Sequence, residues 1–167
     1  MNLLTVLKII YHINAYIKFI IFKFLYGTKV SIGEKTTWRK GFIITIDKNG
    51  KVVVGKNCFF NNYCSINSYN SIEIGNNTIF GENVKIYDHN HRFNKKCTIK
   101  EQGYSVGKVS IGSNCWIASN VTILKGAIIE DNCVIGANVV VNGRIPKGTI
   151  VKINEKGVYQ FDDIHFL

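Results

Sequence analysis

The sequence predicts an all-β solenoid, a column of stacked triangular coils, and three observations lead there. Reading every sixth residue from Ile111 gives Ile111, Ile117, Ile123, Ile129, Ile135 and Val141, an unbroken aliphatic register. Six is neither the 3.6 of a helix nor the 2 of a plain strand. It does contain a strand-like alternation, as in Val109 and Ile111 or Cys115 and Ile117. Turn residues cluster between these pairs, at Gly112-Ser113-Asn114, Glu130-Asp131-Asn132 and Gly136-Ala137-Asn138. Each unit therefore offers a short strand with two inward side chains and then a turn, and three units close a coil of about 18 residues.

The register extends upstream. Val54, Phe60 and Ile66 form one triplet, Ile74, Phe80 and Ile86 another, and Ile32, Trp38 and Ile44 a weaker first coil. Short turn-rich insertions separate them, Asp47 to Gly50 and Asn67 to Asn70, which a solenoid tolerates at a corner. Between Ile86 and Val109 the count fails. That stretch, "YDHNHRFNKKCTIKEQGYSVGK", is expected to leave the column as a loop over residues 87–108.

Composition agrees. The chain has 167 residues, 46% apolar and 19% charged, with a single proline, enough for one domain with a real core. Its net charge of +10 attracts polyanions. An anionic membrane face or a phosphorylated small molecule is expected rather than nucleic acid. Of five cysteines, Cys58, Cys64, Cys115 and Cys133 fall two residues before a repeat position, a slot shared with Val109, Val121, Ala127 and Val139. They read as core thiols, and a reducing cytoplasm is the expected compartment. Cys97 lies outside the repeat.

Residues 1–26 differ from the rest. Asn2, Thr5, Lys8, His12, Ala15, Lys18 and Phe22 step by three or four residues, and nearly all between them is apolar. This is an amphipathic helix with a wide apolar face. Lysines interrupt it too often for a clean membrane span, and no small-residue cleavage site of a signal peptide follows. Two readings stay open: a helix packed on the column or at a subunit contact, and an interfacial helix on the cytoplasmic leaflet of the inner membrane.

The stretches "IGNNTIFGENVKI", "IGSNCWIASNVTILKGAIIEDNCVIGANVVV" and the later "IP" resemble the hexapeptide-repeat acyltransferases, over about residues 30 to 151. The resemblance implies a left-handed parallel β-helix over residues 27–153, a homotrimer, acetyl-CoA as acyl donor and no metal, with residues 154–167 as a C-terminal tail. Its sugar O-acetyltransferase branch, which includes galactoside and maltose acetyltransferases, carries a catalytic histidine in a loop leaving the column. His89 matches that position and is the expected general base, a task suited to an imidazole near neutral pH. Asp88, His91 and Asn61 are expected near the acceptor sugar, with Asp88 also able to orient an imidazole. Trp116, Ala118, Ser119 and Ala137 match the coenzyme groove, and Arg144, Lys147 and Lys152 are matched to the phosphates. The usual glycine- and proline-rich closing segment is replaced by "INEKGVYQFDDIHFL".

A zinc site of the related carbonic anhydrases needs three histidines. His12 and His165 lie outside the repeats and leave no third ligand beside His89 and His91. The expected activity is O-acetylation of a sugar hydroxyl in capsule, O-antigen or exopolysaccharide synthesis. N-acetylation of an amino-sugar nucleotide and a non-enzymatic glycan-binding scaffold are the alternatives.

Overall fold

A computed structural model describes residues 2–47, 49–154 and 157–163, with the side chains of Leu3, Leu4 and Lys8 left aside. A helix over Leu3–Tyr26 leads into short strands that build three parallel sheets. The first sheet stacks Val30–Ile32, Val52–Val54, Ile72–Ile74, Val109–Ile111, Ile128–Ile129 and Arg144–Ile145. The second stacks Thr37–Trp38, Phe59–Phe60, Ile79–Phe80, Trp116–Ile117, Val134–Ile135 and Thr149–Ile153. The third stacks Ile43–Ile46, Ser65–Ser68, Lys85–Tyr87, Thr122–Ile123 and Val140–Val141. The chain visits the three in rotation, so each circuit is one coil of a parallel β-helix.

The six-residue count becomes vertical register. Ile111 pairs with Ile74 and Ile129, Ile117 with Phe80 and Ile135, and Ile123 with Ile86 and Val141. All of these side chains are buried in one interior. Each such aliphatic side chain contributes about 1.5–3 kcal/mol on burial. Below them the filling is aromatic. Phe42, Phe60 and Phe80 stack along the axis, the last two with centroids 4.3 Å apart and planes 6° from parallel.

Corners are made by asparagine. Asn57, Asn77, Asn83, Asn114, Asn120, Asn132 and Asn138 all have left-handed backbone, which asparagine tolerates better than other residues with a Cβ. Their side chains bond coil to coil, Asn57 to Asn77, Asn83 to Asn120 and Asn114 to Asn132. The four core cysteines are buried and unpaired. Each thiol donates to a carbonyl of the following coil, as from Cys133 to Pro146 at 3.0 Å. Burial pushes Cys64 and Cys115 up to about 11, so neither is a ready nucleophile.

The C-terminal end differs from expectation, and the N-terminal helix takes the reading that packs it on the column. The segment assigned to a tail pairs Tyr159–Asp163 antiparallel with Thr149–Ile153, covering the last strand of the second sheet. At the other end the helix lies over the first coil with its Ala15, Lys18 and Phe22 face inward. Ala15 and Phe22 are buried, and Phe22 packs on Trp38 and Phe42. Lys18 donates to the Phe42 carbonyl, Lys23 to that of Val30, and Tyr26 to that of Ile44. An open coil presents unpaired carbonyls, and these three donors meet them.

Candidate functional site

The corner between the third and first sheets carries every long insertion of the first three coils. There residues 47, 49–51, 69–71 and 88–108 lie above one another. Gly50 allows this stacking, because a Cβ there would collide with the Ser68 carbonyl. The third insertion is an ordered arm. His89–His91 pairs antiparallel with Tyr104–Val106, and a 3-10 turn at Ile99–Gln102 closes its far end. Buried Gln102 holds that end by bonds to Lys95 and Cys97. On its return the arm is tied to the column by a Lys108–Glu73 ion pair of 2.7 Å.

Asp88 is the pivot. It is fully buried, so it does not contact an acceptor sugar as expected from the sequence. Its carboxylate accepts from the Ser68 hydroxyl at 2.7 Å and from the Tyr69 and Asn70 amides at 2.7 and 2.8 Å. It also faces His89 Nδ1 at 3.2 Å. A buried carboxylate held by three donors is a fixed acceptor, which selects the Nδ1–H tautomer and leaves the Nε2 lone pair on the other edge of the ring. His89 is nearly enclosed, its side chain 14% exposed.

Aromatic rings surround it. The Tyr69 centroid is 4.1 Å from that of His89, Tyr104 is at 5.3 Å, and Tyr87 meets it edge-on at 6.1 Å. Tyr69 bonds to Tyr104 and to Asp47, and these bonds hold its phenol protonated well above the ordinary tyrosine range. His91 is exposed and packs on Tyr104. Sequence reasoning missed the three tyrosines. Tyr69 stands in an insertion that looks like a plain turn, and Tyr104 meets the histidines only through the antiparallel pairing of the arm.

The other expected residues fall on a different edge. Asn61, Ala118, Ser119 and Ala137 all follow strands of the second sheet and line the corner between the second and third sheets. Asn61 accepts from the Asn62 amide and from Arg39. Ser119 receives the Glu82 amide, and the Ala118 amide donates to the Ile135 carbonyl. Trp116 is half exposed on the outer face beside them, between Ile79 and Val134. One chain thus does not bring these residues together with His89.

The three cations are also dispersed. Arg144 on the first sheet is engaged by Glu130, and that bond holds the Glu130 carboxyl below its ordinary range. Lys152 pairs with Asp162 of the returning strand at 2.7 Å. Lys147 follows the first sheet, its amide also donating to Glu130. Among the described residues no group of three metal-ligating side chains occurs, and His165 lies outside them.

Comparison with known proteins extends this geometry. The family profile "Bacterial transferase hexapeptide (six repeats)" matches residues 108–143. An inferred lipopolysaccharide biosynthesis O-acetyl transferase of Escherichia coli is 32% identical over 73% of this chain and 66% of its own length. The crystal structure of a maltose O-acetyltransferase from Clostridium difficile is 32% identical, with a TM-score of 0.66 over 80% of this chain and 68% of that one. A galactoside acetyltransferase solved with coenzyme A is 28% identical, with a TM-score of 0.63 over 72% of this chain and 59% of that one. Across six curated relatives the chain spans 39% to 66% of their lengths. The register, the coil geometry and these matches place the chain in the hexapeptide-repeat transferase family, with the left-handed parallel β-helix of its acetyltransferases.

Proposed function

We propose that this protein transfers an acetyl group from acetyl-CoA to a sugar hydroxyl, with His89 as general base, in the synthesis of a bacterial surface polysaccharide. The observation that carries the reading is His89, set in an aromatic enclosure with Nδ1 against the buried Asp88 carboxylate. Nε2 takes the proton as the hydroxyl oxygen attacks the thioester carbonyl. The tetrahedral intermediate then expels the coenzyme A thiolate, which recovers the proton from the imidazolium. The products are a sugar ester and free coenzyme A thiol. Direct attack suffices because a groove can hold both reactants together. Aromatic faces at Tyr69, Tyr87 and Tyr104 suit the C–H face of a sugar ring.

The separation of His89 from Trp116, Ala118, Ser119 and Ala137 supports a site shared between chains. In a homotrimer of parallel columns, the third–first corner of one chain lies against the second–third corner of the next. The donor's thioester then meets Ala118 and Ser119 of one chain and His89 of its neighbour. Donor phosphates would fall to Lys147, with Arg144 and Lys152 available only by exchanging their carboxylate partners. The compartment is the cytoplasm, where the donor is made. The E. coli relative's name supports a lipopolysaccharide-type glycan as acceptor.

The test is release of free thiol from acetyl-CoA in the presence of a glycan panel. Native protein should release it with at least one glycan, and His89→Ala should lower turnover about 10²- to 10⁴-fold. Thiol release undiminished in His89→Ala would remove the mechanism. Acetylation confined to amino sugars would favour N-acetyl transfer.

A further inference from the structure

The N-terminal helix is apolar on both its inner and its outer faces. Residues 15, 18, 22 and 26 face the first coil, while Ile10, Ile13, Ile17, Ile20 and Phe24 form the opposite stripe and face outward. Ile13, Ile17 and Ile20 are each more than half exposed, and Phe24 is 89% exposed. A helix on a soluble domain ordinarily turns its apolar stripe to the core. Here the core side carries Ala15 and Phe22 together with the donors that meet first-coil carbonyls, and the outward stripe has no partner among the described residues.

Two observations identify what covers it. Exposed Lys35, Arg39 and Lys40 lie on the first coil, along the two grooves that flank the helix, where they outnumber Glu34, which pairs with Lys56, and Arg39 sits over the Tyr11 ring at 5.9 Å. An apolar stripe rimmed by cations, on a chain of net charge +10, complements an anionic lipid surface. It opposes self-association, because a second copy brings the same cations to the same rim. Helix attachment sets the mode of contact. By length and composition the segment Thr5–Lys29 could cross a bilayer, yet Lys18, Lys23 and Tyr26 fix it along the end of the column.

We propose that the helix lies flat in the headgroup–acyl boundary of an anionic membrane, with Lys35, Arg39 and Lys40 on lipid phosphates, so that the column stands on its first coil. His89 then lies two coils above the first coil, roughly 10 Å at the spacing of adjacent strands, with the helix, itself about 10 Å across, between that coil and the lipid. That height suits a lipid-linked acceptor, a corollary that rests on the proposed function; the docking itself does not.

The test is sedimentation of the full chain with vesicles of phosphatidylcholine alone or containing about one-third phosphatidylglycerol, without acetyl donor. The chain should bind the anionic vesicles at least about tenfold more tightly. The triple variant Ile13→Glu/Ile17→Glu/Ile20→Glu should lose about tenfold or more of that binding, with column circular dichroism retained. Lys35→Gln/Arg39→Gln/Lys40→Gln should lose mainly the anionic preference. Ile17→Trp, which keeps the stripe apolar, should show a blue-shifted emission on adding anionic vesicles. Failure of the native chain to bind, binding unaffected by the triple glutamate change, or an unshifted Ile17→Trp emission would overturn the proposal. So would an assembly in solution that the glutamates dissolve without any vesicle binding. Because no acetyl transfer is read, these outcomes leave the catalytic reading standing or falling separately.

Discussion

Ile117 and His89 lie within one coil of each other in height, and their positions have different origins. Ile117 sits between Phe80 and Ile135 because of its place in a count of six. His89 is placed by Asp88, Tyr69 and Tyr104, contacts that no count specifies. The column is redundant, since each coil repeats the chemistry of the last. The arm is singular, and what it holds has no substitute among the described residues. Stability should therefore follow the column, and turnover the arm.

The widest separation comes from exchanging one residue in each region. His89→Ala should cost about 10²- to 10⁴-fold in turnover while lowering denaturant stability by only about 1–2 kcal/mol. A large loss of stability would break the comparison, because the arm would then be part of the column's support. Ile117→Ala should do the reverse, lowering unfolding free energy by about 2–5 kcal/mol with turnover per folded molecule near native.

Asp88 belongs to both regions and sharpens the boundary between them. Asp88→Asn keeps the shape but sets an amide donor among the Ser68, Tyr69, Asn70 and His89 donors. It should lower stability by about 1–3 kcal/mol and turnover by about 10- to 100-fold. A kcat fall with KM nearly unchanged would mark its role as positioning the imidazole. At the corners the effect is smaller. Asn132→Ala should cost about 1–2 kcal/mol in a urea melt, and Asn132→Gly clearly less, since glycine accepts the left-handed backbone. Equal costs would assign the corner to side-chain ladders rather than to backbone conformation.

The column was legible because a slot modulo six decides burial. The same count placed Cys58, Cys64, Cys115 and Cys133 inside, and Asn114 and Asn132 at corners. His89 stood out as a histidine in a stretch where the count fails. Its neighbours did not, because Tyr69 and Tyr104 reach it through corner stacking and arm pairing across 20 and 15 residues of chain. The sequence also displayed both faces of the N-terminal helix without saying which turns inward. That choice depends on the carbonyls of Val30, Phe42 and Ile44, left open at the end of the first coil and answered by Lys23, Lys18 and Tyr26. The closing strand Tyr159–Asp163 was missed because it is antiparallel and outside the repeat.

In the proposed trimer, His89 of one chain works against the Ala118–Ser119 edge of another. Intersubunit complementation tests it most directly. His89→Ala and Ala118→Trp, each inactive alone in thiol release, are unfolded, mixed in equal amounts and refolded together. A shared site restores turnover to about a quarter of native, since random assembly pairs an intact His89 with an intact Ala118 edge at about that frequency. A mixture as inactive as its parents would rule out a shared site and confine the chemistry to a single chain.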